Sequence, residues 1–183
     1  MMPKGVEIRP TQDKVRQAIF NIVRDMNGKR VLELFAGTGA FGIEALSRGA
    51  DFVTFVDNNI RCIETIRQNL DSLDVNEIRY ELIRANAMSI MPRISKEEEK
   101  YDIVFLDPPY HEGFSRKSLI NIDDYDIVSD HSVVIVEHFK KDNLTIDLKN
   151  LVLETERRYG DTLVTIFRRA HEQTEDSHIS GDV

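Results

Sequence analysis

Three observations predict an α/β fold for this chain, a Rossmann-like, doubly wound and mostly parallel sheet. Strand-forming apolar runs alternate with amphipathic helical patterns from Arg30 onward. A glycine-rich turn, "ELFAGTGAFG", follows the first of those runs, and acids stand where two of them end, Asp57 in "FVDNN" and Asp107 in "FLDPPY". Alternation of this kind builds βαβ units, and such sheets bind ligands in the crevice outside the carboxyl ends of their strands.

The elements follow in order. "TQDKVRQAIFNIV" predicts a helix with Thr11 or Asp13 as cap and Val15, Ala18, Ile19, Ile22 and Val23 on its apolar face. "VLELFA" predicts the first strand, and "FGIEALSRG" a helix closed by Gly49. "DFVTFV" is the second strand, and residues 59 to about 73 a helix with Ile60, Ile63, Ile66, Leu70 and Leu73 along one side. "EIRYELIRA" predicts the third strand, "MSIMPRI" a short helix or turn, and "DIVFLD" the fourth strand, buried on both faces. The pattern around residues 114–126 favours no element. "SVVIVEHF" is the fifth strand, and "LVLETERRY" and "DTLVTIFRR" flank Gly160 as an antiparallel pair. The chain divides into an N-terminal segment and helix (1–29), a main domain (30–169) and an acidic, disordered tail (170–183).

The 183 residues, 41% apolar and 31% charged, suit one core. No run approaches the roughly 18 apolar residues of a membrane span, and "MMPKGVEIRP" lacks a signal peptide's apolar centre. A cytosolic protein is expected. The single cysteine, Cys62, excludes an intrachain disulfide and a cysteine-rich metal site, and is expected to be a core thiol. The net charge is −8, yet residues 1–30 hold seven Lys or Arg against three acids, a candidate phosphate-contact patch.

Gly37, Gly39 and Gly42 take the spacing G-x-G-x-x-G between the first strand and its helix, which lets backbone approach a ligand closely. Asp57, twenty residues after Gly37, can accept hydrogen bonds from the ribose hydroxyls of a nucleoside cofactor, or cap the helix after it. NAD and S-adenosylmethionine both suit that pair. Hydride transfer calls for a placed His, Tyr or Lys, and none stands out: His111 and His138 are lone histidines, and His171 and His178 lie in the tail.

"DPPY" favours methyl transfer to an exocyclic amine. The lone pair of such an amine is delocalised into its base. Hydrogen bonds from its two N–H groups to Asp107 and to the Pro108 carbonyl favour a tetrahedral nitrogen aimed at the methyl donor. Pro108 and Pro109 stiffen the turn, and Tyr110 can stack on an unstacked base or pack beneath the turn.

Together "RPTQDKVRQAIFNIV", "LELFAGTGAFGIEALSRGA", "VDNN", "NAM", "DPPY", "VEH" and "RYGDT" resemble the RsmD-type 16S rRNA (guanine-N2)-methyltransferase family. The resemblance implies a seven-stranded methyltransferase fold, S-adenosylmethionine as cofactor, no metal, and guanine N2 in 16S rRNA of the small ribosomal subunit as target; the net charge of −8 and the small basic patch point to an assembled or partly assembled subunit rather than naked RNA. It places Glu33 and the turn Phe35, Ala36, Gly37, Thr38 and Gly39 at the methionine end, Asp57 and Asn58 at the ribose, and Asn86 and Ala87 at the adenine edge. It places Asp107, Pro108, Pro109 and Tyr110 at the target base, and Arg9 and Thr11 toward the cofactor or the RNA.

Family members usually carry a basic, strand-forming segment ahead of the "RPT" motif, and here eight residues precede Arg9. RNA contact is then expected to rest on Lys4, Arg9, Lys14 and Arg16, with Arg116 and Lys117 after the proline turn, and the protein to be a monomer. An adenine-N6 methyltransferase acting on DNA or RNA needs the same acid, carbonyl and ring. A small-molecule methyltransferase would leave the stacking residue unexplained. A non-catalytic cofactor-binding protein is the reading outside enzymes.

Overall fold

Seven strands form one mixed sheet in the order β3-β2-β1-β4-β5-β7-β6. The computed structural model describes residues 10–110 and 113–170, and for residues 10–12 the backbone alone. Strands β1 (Arg30–Leu34), β2 (Phe52–Asp57), β3 (Tyr80–Arg84), β4 (Tyr101–Leu106) and β5 (Val128–Phe139) pair in parallel. β6 (Leu151–Tyr159) and β7 (Thr162–Arg169) pair antiparallel, and β7 inserts beside β5. β1, β2 and β4 are buried along nearly their whole length because helices cover both faces.

α1 (Pro10–Val23), α2 (Ala40–Ser47) and α3 (Ile60–Ser72) accompany the first half of the chain, and α4 (Met91–Ile94) and α5 (Phe114–Tyr125) the second. Two apolar clusters lie on either side of the sheet, one around Ile19, Phe41, Phe55 and Phe105, the other around Leu34, Met91, Leu106 and Leu119. In the first, Phe20 of α1 stacks on Phe41 of α2 at 4.8 Å between ring centroids, and Phe41 on Phe105 of β4 at 4.2 Å. This ladder docks the N-terminal helix on the strand that leads into "DPPY".

The structure corrects several sequence expectations. Helix α1 already begins at Pro10, so Asp13 lies in its first turn and pairs with Arg16 rather than capping it. On α3, Ile63, Ile66 and Leu70 face the core, whereas Ile60 and Leu73, 42% and 59% exposed, sit at the ends where the helix has turned off the sheet. Residues 77–79 form a 3-10 turn ahead of β3 rather than part of it. Residues 114–125 form a helix whose buried residues include Ser115, Ser118 and Asp123, so its inner face is too polar for apolar periodicity to reveal it. Lys4, Arg9, the Thr11 side chain, His111 and the tail residues 171–183 lie outside the described residues.

Candidate active site

The chain leaves β1 through a turn that takes positive φ three times in five residues, at Phe35 (59°), Gly37 (54°) and Gly39 (72°). Glycine adopts this geometry freely. At Gly39 a Cβ would also lie 3.0 Å from Ile66 and 3.1 Å from Phe55. At Phe35 the strain costs about 1–2 kcal/mol, and the ring is held against Phe114, 6.0 Å away between centroids.

Asp57, ending β2, locks this turn in place. One carboxylate oxygen accepts the Gly37 N–H at 2.9 Å and the other the Asn59 N–H at 2.8 Å. Asn59, not Asp57, caps α3, accepting the Arg61 N–H. Each oxygen of Asp57 retains a lone pair for further donors.

A cavity of about 510 Å³ opens beside it, lined among others by Phe35, Gly37, Asp57, Asn58, Asn86 and Ala87 and by Asp107 to Tyr110. This size falls in the range of small-molecule sites. Asn86 lies on the cavity, but its carboxamide oxygen accepts the Met88 N–H at 2.8 Å, which shapes the loop after β3. Cys62 also lines the cavity, which corrects its reading as a core thiol: it belongs to the first turn of α3, where the helix faces the strand ends. Burial and the neighbouring Asp57 push its thiol up.

The proline turn is anchored from the opposite side. The Tyr110 hydroxyl and Thr162 Oγ1 are 3.0 Å apart, and its ring leans on Phe139 at 5.8 Å between centroids. Thr162 comes from the "RYGDT" segment, so that segment helps to fix the aromatic ring. His138 is fully buried and hydrogen-bonded to Thr165 at 2.8 Å, a structural histidine.

A second cavity, about 230 Å³, shares Phe35, Gly37 and Asp107 with the first and is lined further by Arg16, Glu33 and Glu137. Glu33, 3% exposed, accepts the Gly42 N–H at 2.8 Å. It therefore braces the start of α2 as well as bordering the site. Arg16 is ion-paired to Glu44 at 2.8 Å and to Asp13 at 2.9 Å. The expected RNA contact is thus engaged in docking α1 on α2, while Lys14, Arg116 and Lys117 are exposed.

Sequence reasoning missed Glu137, which is 7% exposed. Its signal was an acid, in "VEH", closing the apolar run "VVIV", as Asp107 closes "IVFL". Burial raises Glu33 to about 8 and Asp107 to about 6, and burial next to Asp107 raises Glu137 to about 8. Native protein then binds more protons than unfolded protein above the ordinary carboxylate range. Stability from these groups is fully present below about pH 4 and is lost as pH rises through 6 and 8. The urea midpoint should fall between pH 5 and 9, and Glu137→Gln should flatten that slope. An unchanged slope in the variant would mean that Glu137 ionises normally.

Among the described residues no group of three or more His, Cys, Asp or Glu is placed to hold a metal ion, and no helix is long and apolar enough to cross a membrane. Residues 1–168 match the family described as "Conserved hypothetical protein 95". The chain is 36% identical over 166 residues to "Putative rRNA methyltransferase YlbH" of Bacillus subtilis (strain 168), covering 90% of each. It is 28% identical over 169 residues to "Ribosomal RNA small subunit methyltransferase D" of Escherichia coli (strain K12), covering 92% of this chain and 83% of the relative. The solved structure of "Putative methyltransferase yhhF from Escherichia coli" superposes with a TM-score of 0.78 at 26% identity, covering 92% and 90% of the two chains.

Proposed function

The chain belongs to the family described as "Conserved hypothetical protein 95", and from that premise we propose an S-adenosylmethionine-dependent methyltransferase acting on the exocyclic N2 of a guanine in 16S rRNA of the small ribosomal subunit. The observation that carries this reading is the meeting of two cavities at Asp107. Both border the glycine turn at Phe35 and Gly37; the larger adds Asp57 and the Pro108 to Tyr110 turn, and the smaller adds Glu33 and Glu137. Relatives named as rRNA methyltransferases support the substrate class.

The residues of the larger cavity suit the cofactor. Asp57 has lone pairs for two ribose hydroxyls, Ala87 offers a buried apolar edge, and Gly37 lets backbone approach the methionine end. S-adenosylmethionine, when bound, supplies an electrophilic methyl group on a sulfonium. Asp107 accepts one N–H of the guanine amine and the Pro108 carbonyl the other, so the nitrogen lone pair is held toward the donor. The carboxylate stabilises the charge that develops on nitrogen and receives the proton it gives up. Tyr110, tied to Thr162, borders the base and fixes the angle of the turn.

The direct test incubates the protein with methyl-labelled S-adenosylmethionine and isolated small subunits; RNA that stays unlabelled removes this reading. Asp57→Ala should also weaken cofactor binding about tenfold or more, from roughly 1.5–3 kcal/mol for a hydrogen bond to a charged group. Calorimetry showing wild-type affinity in that variant would take Asp57 out of the cofactor site.

A further inference from the structure

We propose that Glu137 selects the acceptor base, its carboxylate accepting the N1–H of the guanine whose N2 amine is held by Asp107. The assignment rests on the guanine-N2 reading above and adds to it the residue that distinguishes guanine from other amine-bearing purines.

The sheet order places it there. Asp57 ends β2, the glycine turn follows β1 and Asn86 follows β3, and Phe35 to Thr38 of that turn border the same cavity as Glu137, so a base held there meets the methionine end of the cofactor. Glu137 belongs to β5, on the other side of β4. The register Leu106↔Val136 sets Asp107 beside Glu137, and side-chain alternation turns both toward the face of Phe105 and Ile135, two residues earlier. Neighbouring strands lie about 4.8 Å apart, so two carboxylates stand together along the border of one cavity.

Glu137 is more than nine-tenths buried, lines that cavity, and has no hydrogen bond or ion pair among the described residues. Glu33, by contrast, is satisfied by the Gly42 N–H, and Arg16 by Asp13 and Glu44. A buried carboxylate without a donor is costly unless a ligand supplies one. The guanine Watson–Crick edge offers adjacent N1–H and N2–H donors, which a pair of carboxylates can accept. Adenine presents an unprotonated N1 beside its amine and would set lone pair against lone pair. Burial and the charge of Asp107 hold the Glu137 carboxyl above the ordinary range; a base N–H donor and a cationic cofactor both favour its ionised form.

The test uses 2,6-diaminopurine, which keeps the 2-amine but carries a lone pair at N1. After the wild-type product is mapped to its nucleotide, RNA with guanosine or 2,6-diaminopurine riboside at that position is ligated into the small-subunit rRNA. The rRNA is then assembled with ribosomal proteins. Wild type should prefer guanosine in kcat/KM by at least about 100-fold, as sites built to hydrogen-bond a donor reject analogues lacking it. Glu137→Gln can turn an amide N–H toward N1 and should reduce that preference at least about tenfold, with S-adenosylmethionine affinity close to wild type and a Tm no lower than wild type. Where turnover of the variant is too slow, the ratio of particle affinities gives the same comparison. Formation of N2-methylguanosine by wild type with a preference unmoved in Glu137→Gln overturns the role of Glu137 alone. A wild-type product other than N2-methylguanosine overturns the proposed function and this role together.

Discussion

Asp107→Ala should lose turnover on the order of 10²–10³-fold, the scale of removing one preorganised electrostatic contact, while cofactor affinity stays within a few fold. The separation follows from the assigned roles: Asp107 meets the acceptor amine, whereas Asp57, which holds the Gly37 N–H, faces the cofactor. Asp107→Asn should keep partial activity, because its amide oxygen still accepts an N–H without a full charge. The same substitution removes a carboxylate that is itself raised to about 6 and that raises Glu137. Asp107→Asn should therefore be more stable than wild type at pH 8 and less active, a trade expected where a strained charge serves chemistry. Single-turnover kinetics, calorimetry and urea unfolding at pH 8 check the three parts. Full turnover by Asp107→Ala would end the mechanism.

Gly42→Ala should be the most damaging small substitution in the cofactor turn. An added Cβ would lie 2.4 Å from the Phe55 ring, 2.7 Å from Val53 and 2.7 Å from the Glu33 carboxylate. Those neighbours belong to the sheet and cannot withdraw without moving α2. Overpacking of this kind costs about 1–3 kcal/mol, against a gain of nearly 1 kcal/mol from helix propensity. The displaced carboxylate adds to the loss, since Glu33 would no longer meet the Gly42 N–H. A net loss near 2 kcal/mol corresponds to a Tm lower by roughly 4–8 °C at this chain length, together with weaker cofactor binding. Gly160→Ala provides the contrast: its φ is 66° but nothing lies within 4 Å of the added atom, so only backbone strain of about 1–2 kcal/mol is incurred and cofactor affinity is retained. Equal cofactor affinity in both variants would show that the turn tolerates a shift of α2.

Much of this site was legible because strand ends and turns announce themselves. Apolar runs closing on Asp57 and Asp107, and glycines where the backbone turns left-handed, put ligand-facing positions into the sequence directly. Four things were not legible. Phe35 takes a positive φ that no propensity assigns to phenylalanine, because tertiary packing against Phe114 holds it. Arg16 reads as a free basic residue, and only the docking of α1 on α2 gives it Glu44 as partner, twenty-eight residues away. Glu137 stands in an apolar run like Asp107, but without prolines after it nothing local separates a functional acid from a strand end. The parallel register beside β4 supplies that distinction. The helix at 114–125 escaped for a related reason, since its buried Asp123 is satisfied by backbone N–H groups of Lys149 and Asn150, a long-range contact that periodicity does not encode.

In the function proposed above, the cavities that share Asp107 bring the methyl donor to guanine N2 of small-subunit rRNA. Digestion of that RNA to nucleosides after incubation of isolated small subunits with the protein and labelled S-adenosylmethionine tests it most directly. Wild-type reactions should give a single labelled nucleoside, N2-methylguanosine, nearly absent with Asp107→Ala. Label in N6-methyladenosine, or N2-methylguanosine formed equally well by both proteins, would contradict it.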